Sequence, residues 1–361
     1  MNIKHFLLPV VICFSIFSLV SCNDDIDLTA DYKDISFSYS ILDMNDTTHY
    51  FKIYKGFLTD DNAFEQASNW ENIYYPVDSI QVRLEEYLNG QLNRSAILDT
   101  TTKVNKVPGY FAQPKQLLYY SNWKLNEDAT YRLVIKNVNT GKESYAETQI
   151  VGDFSVRRPT GNWNMNLDQL YKIQFYAANN AAAYDIYMDF YYIEVDNVTG
   201  AIAHKKLSKK LNPDLIRDNQ TVGGDGREIG YNITPNTFYT FLSQNIEPNS
   251  HVTRYIDAID NQPYYCIQLN VWAANDAFVK YRDVATPNSS IVQNRLEYTN
   301  FISDNDNAYG IFASRNHCTK NLKLDNAQAH NEDTLVKGSA TSNLNFDYYR
   351  NSPLFISEEK R

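Results

Sequence analysis

One long apolar block, Phe6 to Val20, opens the chain and has no later counterpart. Beyond it the pattern changes to short alternating runs: Phe37, Tyr39 and Ile41; Tyr50-Phe51-Lys52-Ile53-Tyr54; Ile80, Val82 and Leu84. Apolar positions at period two share one face, as a half-buried strand requires. Asn89-Gly90, set between Ile80–Tyr87 and Gln91–Leu98, predicts a two-residue hairpin. A second hairpin follows from Tyr131–Lys136, the turn Asn139-Thr140-Gly141 and Tyr145–Val151. Phe64, Ala67 and Trp70 recur at helical spacing after Asp60-Asp61, which predicts one short helix. Residues 36–152 therefore read as an immunoglobulin-like antiparallel β-sandwich.

A boundary is expected between Val151–Phe154 and Arg157–Gly161. After it, Lys172–Tyr176 and a long run from Tyr184 to Val195 read as strands. In that run Tyr184, Ile186, Met188, Phe190 and Tyr192 fall on one face and Asp185 and Asp189 on the other. The turn Asn197–Gly200 leads into Ala201–Leu207, and the polar segment 208–233 reads as an irregular loop. Thr234-Pro235 resembles a cap followed by a first-turn proline, ahead of a helix striped by Phe238, Phe241, Leu242 and Ile246. Tyr264–Trp272 predicts a strand, Asp276–Val284 a helix, Ala308–Ser314 a closing strand and Asn343–Tyr349 a last one. The expected layout is a mostly β chain. An immunoglobulin-like sandwich over 36–152 is followed by a larger β-rich domain over 160–315 with one or two short helices, then a C-terminal extension over 316–361.

Composition adds two exclusions. With 33 Lys+Arg against 43 Asp+Glu in 361 residues, the formal charge is −10. That balance argues against nucleic acid as a partner, because phosphate binding needs clustered basic residues. Hydrophobic residues at 43% argue against wholesale disorder. The 28 tyrosines suit pleated, half-wet strand surfaces.

The opening apolar block of about 15 residues would span about 22 Å as a helix, short of a hydrocarbon core of about 30 Å. Preceded by Lys4 and His5, it reads as a secretory signal over residues 1–21 and not as a membrane span. It ends in Leu19-Val20-Ser21-Cys22, which resembles a bacterial lipobox. Cleavage before Cys22 would leave a thiol to be acylated, and several chains on one cysteine anchor a protein stably where a single chain would not. Residues 22–35 then form a lipidated acidic linker. Its start, Asn23, Asp24 and Asp25, resembles the acidic export signal that sends lipoproteins of Bacteroidota-type bacteria to the cell surface. Those bacteria O-glycosylate exported proteins at Asp-Ser/Thr followed by a small or aliphatic residue, a pattern met at Thr47, Ser79, Thr100 and Thr334.

Catalytic chemistry is not spelled in the chain. There is no G-x-S-x-G, no H-E-x-x-H and no paired C-x-x-C, and the histidines are scattered, so no catalytic residue, metal site or cofactor is assigned. Glu85-Glu86 is a carboxylate pair within a strand, but neighbours there point to opposite faces. Cys266 and Cys318 are the thiols left in the mature chain; they can form a disulfide in an oxidising compartment or stay as buried thiols. Trp123 and Trp163, flanked by Asn in loop-like context, are candidates for an exposed aromatic platform.

Several segments together resemble a family of Bacteroidota outer-membrane lipoproteins of unknown function. They are the lipobox at Cys22, His49–Lys55, Val82–Gly90, Gln268–Trp272 with the helix-like 276–284, and Asn300 to Ser314. The resemblance spans roughly residues 22–315. It implies a two-part, mostly β lipoprotein, often encoded beside a TonB-dependent transporter, and carries no functional residues with it. The expected function is that of a non-catalytic binding or accessory subunit, lipid-anchored in the outer membrane at the cell surface. Its expected partners are the membrane, a TonB-dependent transporter or a glycan or peptide ligand. The alternatives are an adhesin or envelope-assembly lipoprotein and, third, a glycan-active hydrolase.

Overall fold

The computed structural model describes residues 33–59, 61–76, 78–163, 170–218, 227–234, 237–285, 298–303, 307–324 and 331–357. The signal segment, Cys22 and the acidic residues Asn23, Asp24 and Asp25 lie outside the described residues. The protein is mostly β, with several antiparallel sheets and few helices. No helix among the described residues is long and apolar enough to cross a membrane.

A ten-stranded sheet organises the molecule. Its path runs β12 (Ile202–Lys210), β11 (Ala183–Asp196), β16 (Tyr265–Ala274), β18 (Ala308–Lys323), β1 (Ser36–Asp43), β2 (His49–Lys55), β6 (Gln116–Ser121) and β5 (Asp99–Lys103). Two short strands, β13 (Ile216–Arg217) and β15 (Val252–Ile256), also pair with β11. Every pair along the path is antiparallel except β1–β18. That parallel pair is the seam where the N-terminal strands meet those from beyond residue 183. A five-stranded sheet orders β17 (Ile302–Ser303), β8 (Glu143–Gln149), β7 (Thr130–Asn137), β3 (Ile80–Leu88) and β4 (Gln91–Ile97). A small sheet holds β14 (Glu228–Ile233), β10 (Tyr171–Tyr176) and β9 (Val156–Arg158).

Two cores form on the same face of the long sheet. In the first, Phe51, Ile53 and Phe312 meet Val82, Leu84, Tyr131, Leu133 and Ala146 of the five-stranded sheet, giving a sandwich. In the second, Tyr184, Ile186, Met188, Phe190, Leu269 and Val271 meet Ile173 and Phe175 of the small sheet and Phe238, Phe241 and Leu242 of α3 (Thr237–Asn245). The facing of the long strand is therefore the one its alternation predicts. The Asn89-Gly90 hairpin forms as expected, both residues at positive φ. The predicted short helix is two, α1 (Ala63–Ala67) and α2 (Trp70–Ile73), each capped by an asparagine, Asn62 and Asn69.

Four expectations change. The sandwich is not closed by residues 36–152 alone: β17 and β18, from the C-terminal half, complete its two sheets, so the hydrogen-bonded structure runs across the expected boundary. Residues 316–361 are no appended tail. β18 continues to Lys323, and Leu335 of α5 (Asn331–Lys337), Leu344, Phe346 and Tyr349 are buried in the second core. Asn343–Tyr349 is no strand either; short 3₁₀ turns flank a single bridge from Phe346 to Arg254. The segment 208–233, expected to be irregular, contains β13 and β14.

Candidate functional site

The first strand is faced opposite to its hydropathy. Ser36, Ser38 and Ser40 are buried on the core side, and Phe37 and Tyr39 point away from it, with Tyr39 40% exposed. The ladder extends this outward face. Tyr39 opposes Lys52 and Phe37 opposes Tyr54 on β2, while Phe37 stacks on Tyr309 of β18 with ring centroids 5.9 Å apart. Paired residues share a face, so Phe37, Tyr39, Lys52, Tyr54 and Tyr309 form one aromatic floor.

Two segments border that floor. On one side is α4 (Asp276–Ala285), which packs on β18 and sets Tyr281 edge-on to Tyr39. On the other is the β5–β6 connection, held by three contacts. The Ala112 N–H donates to the Ala67 carbonyl (3.0 Å), Lys106 Nζ donates to the Ala112 carbonyl (2.8 Å), and Phe111 stacks on Tyr54 at 5.8 Å and 8°. Ile73, Tyr74, Ala112 and Leu117 form a small third core beneath the connection. Between the floor and the β5–β6 connection lies a groove of about 840 Å³, edged also by Ile35, Phe57 and Leu58; α4 contributes none of its lining. Beside it Val104, Val107, Tyr110 and Phe64 are exposed, the last two in ring contact at 4.7 Å.

The polar complement of the groove has one sign. Lys33, Lys52, Lys55 and Lys106 line it, and no Asp, Glu, Asn or Gln does. None of the four is ion-paired among the described residues. Lys52 and Lys106 stand over the same Tyr54 ring, at 5.3 and 5.6 Å from its centroid, a cation–π arrangement. Burial, reinforced by the Lys52 charge, pulls the Lys106 ammonium below the usual lysine range. In a chain of charge −10, a groove of unpaired ammonium groups is a departure.

A second groove of about 440 Å³ lies against α4, lined by Asp185, Trp272, Arg282 and Arg315 among others. Its charges are satisfied. Asp185 accepts from Lys210 at 2.8 Å and from Arg282, and Arg315 pairs with Asp43 at 3.0 Å while covering the Trp272 ring. It reads as a packed surface, with His317 stacked on Trp272 at 4.3 Å.

The tryptophan platform expected from the sequence is not there. Trp163 is 1% exposed, enclosed by Tyr171 and Phe238, because its loop is pinned to β18 by the Trp163–Lys323 backbone bond. Trp123 is half-buried against the sandwich core, with the Arg94 guanidinium 4.1 Å from its ring. Nor can Cys266 and Cys318 be bridged. Cys318 opposes Val271, five residues along β16 from Cys266, about 17 Å at strand rise, where a disulfide needs Cα atoms within about 7 Å. Both are free thiols, and burial pushes Cys318 up to about 12.

Glu85 and Glu86 do point to opposite faces. Burial of Glu86 raises its carboxyl, but hydrogen bonds from Arg94, Tyr131 and Asn93 outweigh that and hold it below the usual range. Glu85 is likewise lowered, Tyr87 and Arg83 overcoming burial. His49, buried, has its Nε2 2.9 Å from the Trp123 carbonyl, and desolvation lowers it. Thr47 is exposed in the turn after β1; Ser79, Thr100 and Thr334 are half-buried. No cluster of three metal-ligating side chains occurs among the described residues.

No family model matches the chain, and no curated protein does. Among solved structures it is similar to the C-terminal globular domain of an oligosaccharyltransferase from Pyrococcus abyssi, at 10% identity and a TM-score of 0.24. The match covers 60% of this chain and 40% of that one, a likeness too slight to assign a fold.

Proposed function

We propose that the protein is a lipid-anchored binding subunit of the outer membrane, displayed at the cell surface, whose working face is the outward face of the long sheet at β1 and β2. The observation that carries this reading is the groove itself: strand aromatics turned out of the core, walled by the anchored β5–β6 connection, and left uncovered among the described residues. Such concave, mainly apolar sites with a few placed polar groups are typical of small-ligand binding. The groove offers aromatic faces and ammonium groups, which suits retention more than bond-making. The lipobox and acidic start at Cys22–Asp25 support the anchor and its destination. The family resemblance supports service as an accessory to a TonB-dependent transporter.

The anchor is tested by Cys22→Ala. The variant is expected to leave the membrane fraction, while the wild-type chain stays there and is cut by protease added to intact cells. Retention of the variant in the outer membrane, or protection of the wild type from protease, would contradict the reading. Co-purification of a TonB-dependent transporter in mild detergent is the expected partner result.

A further inference from the structure

We infer that the groove takes an anionic amphiphile, an extended apolar body bearing one compact acidic group, with Lys52 and Lys106 gripping the acidic end over Tyr54. This deepens the binding reading above and rests on it. The lining excludes the other obvious occupant. A neutral sugar presents many hydroxyls, which binding sites meet with acceptors as well as donors. Here the polar side chains are lysines and two tyrosines, with no carboxylate or amide among the lining residues. Lysine has only donors. The partner they fit has only acceptors and a negative charge.

Position agrees with charge. Lys52 projects from β2 beside Tyr39, and Lys106 is fixed on the β5–β6 connection by its bond to the Ala112 carbonyl. Two cations therefore approach one ring from separate elements, with Lys33 and Lys55 also on the lining. Holding like charges together without a counter-charge costs free energy unless an anion enters between them. The rest of the lining, Ile35, Phe37, Phe57, Leu58, Ile73 and Phe111, is apolar and continuous, which suits a chain more than a lone ion.

Calorimetry on the mature soluble chain (residues 23–361) would use laurate, decanoate, dodecyl maltoside below its micelle concentration, and inorganic phosphate. Laurate is expected to bind, and decanoate about tenfold more weakly for its two missing methylenes. Phosphate alone should not bind measurably. Lys52→Gln, which removes no structural hydrogen bond, should weaken laurate about tenfold or more, and Lys52→Arg should restore it. Lys52→Gln/Lys106→Gln together should erase the preference for laurate over dodecyl maltoside. Equal binding of both amphiphiles, unchanged in the lysine variants, would overturn the acidic-group inference and leave the groove reading standing. No binding of any amphiphile would overturn both. Binding only to phosphatidylglycerol vesicles, or only after residues 23–32 are removed, would also overturn the inference. The first would assign the surface to a membrane, the second to the chain's own acidic linker.

Discussion

Replacing Gly310 by alanine is expected to destabilise the protein by about 2–6 kcal/mol, enough to consume much of a typical domain's stability. Gly310 sits on β18 opposite Ser38 of β1, in the parallel pair that joins the two halves of the long sheet. Its φ is +110°, a region that residues with a Cβ scarcely enter. A Cβ built there would lie 2.0 Å from the Ser38 carbonyl oxygen and 2.9 Å from its carbon. Ser38 cannot retreat, because it is paired with β18 on one side and with Ile53 of β2 on the other. Backbone strain and overpacking therefore add. Urea or thermal unfolding of Gly310→Ala reads the effect; a midpoint indistinguishable from wild type would show that the seam is not as tight as described.

A chain ended after Leu324 is expected not to fold cooperatively at all. It would lose Leu335, Leu344, Phe346 and Tyr349, all buried in the second core. Removing even one such side chain typically costs about 2–5 kcal/mol, so four together exceed the whole net stability of an ordinary domain. Polar groups would be stranded as well. Asn331 donates to the Trp163 carbonyl at 2.7 Å, and the buried Arg254 guanidinium donates to the Leu344 carbonyl at 2.6 Å. Circular dichroism melting and size-exclusion chromatography of the truncated chain should show aggregation or a loss of the sharp transition. A soluble chain melting as wild type would show that residues 325–361 add nothing to the fold.

Much of the architecture could be read from the alternation of side chains, because burial of one strand face is written every second residue. The long run Tyr184–Val195, the Asn89-Gly90 turn and the stripe on α3 all obey that rule. The candidate site was hidden because β1 breaks it. Phe37 and Tyr39 read as core residues, yet the core side of β1 is taken by serines, Ser38 and Ser40 bonding to each other at 3.3 Å beside the side-chain-free Gly310. The lysines gave no signal either. Lys33, Lys52 and Lys55 lie on or beside the first two strands of a chain that is acidic overall, and Lys106 joins them only through a β5–β6 connection folded back onto α1. The signal that could have found the site is Val104-Asn105-Lys106-Val107-Pro108-Gly109-Tyr110-Phe111, an apolar loop with a lysine where a turn is ordinarily polar. Trp163 misled for the converse reason. Its asparagine neighbours look like loop surface, but the loop is closed under by residues such as Asn331, 168 positions later.

Photolabelling shows whether the outward face at β1 and β2 is the binding face. A diazirine analogue of laurate would be added to residues 23–361, irradiated, and the adducts mapped by peptide mass spectrometry. Adducts are expected to concentrate in residues 33–58 and 104–111 and to be competed away by unlabelled laurate. Adducts centred on the Trp272 groove, or spread without competition over the five-stranded sheet, would contradict that expectation.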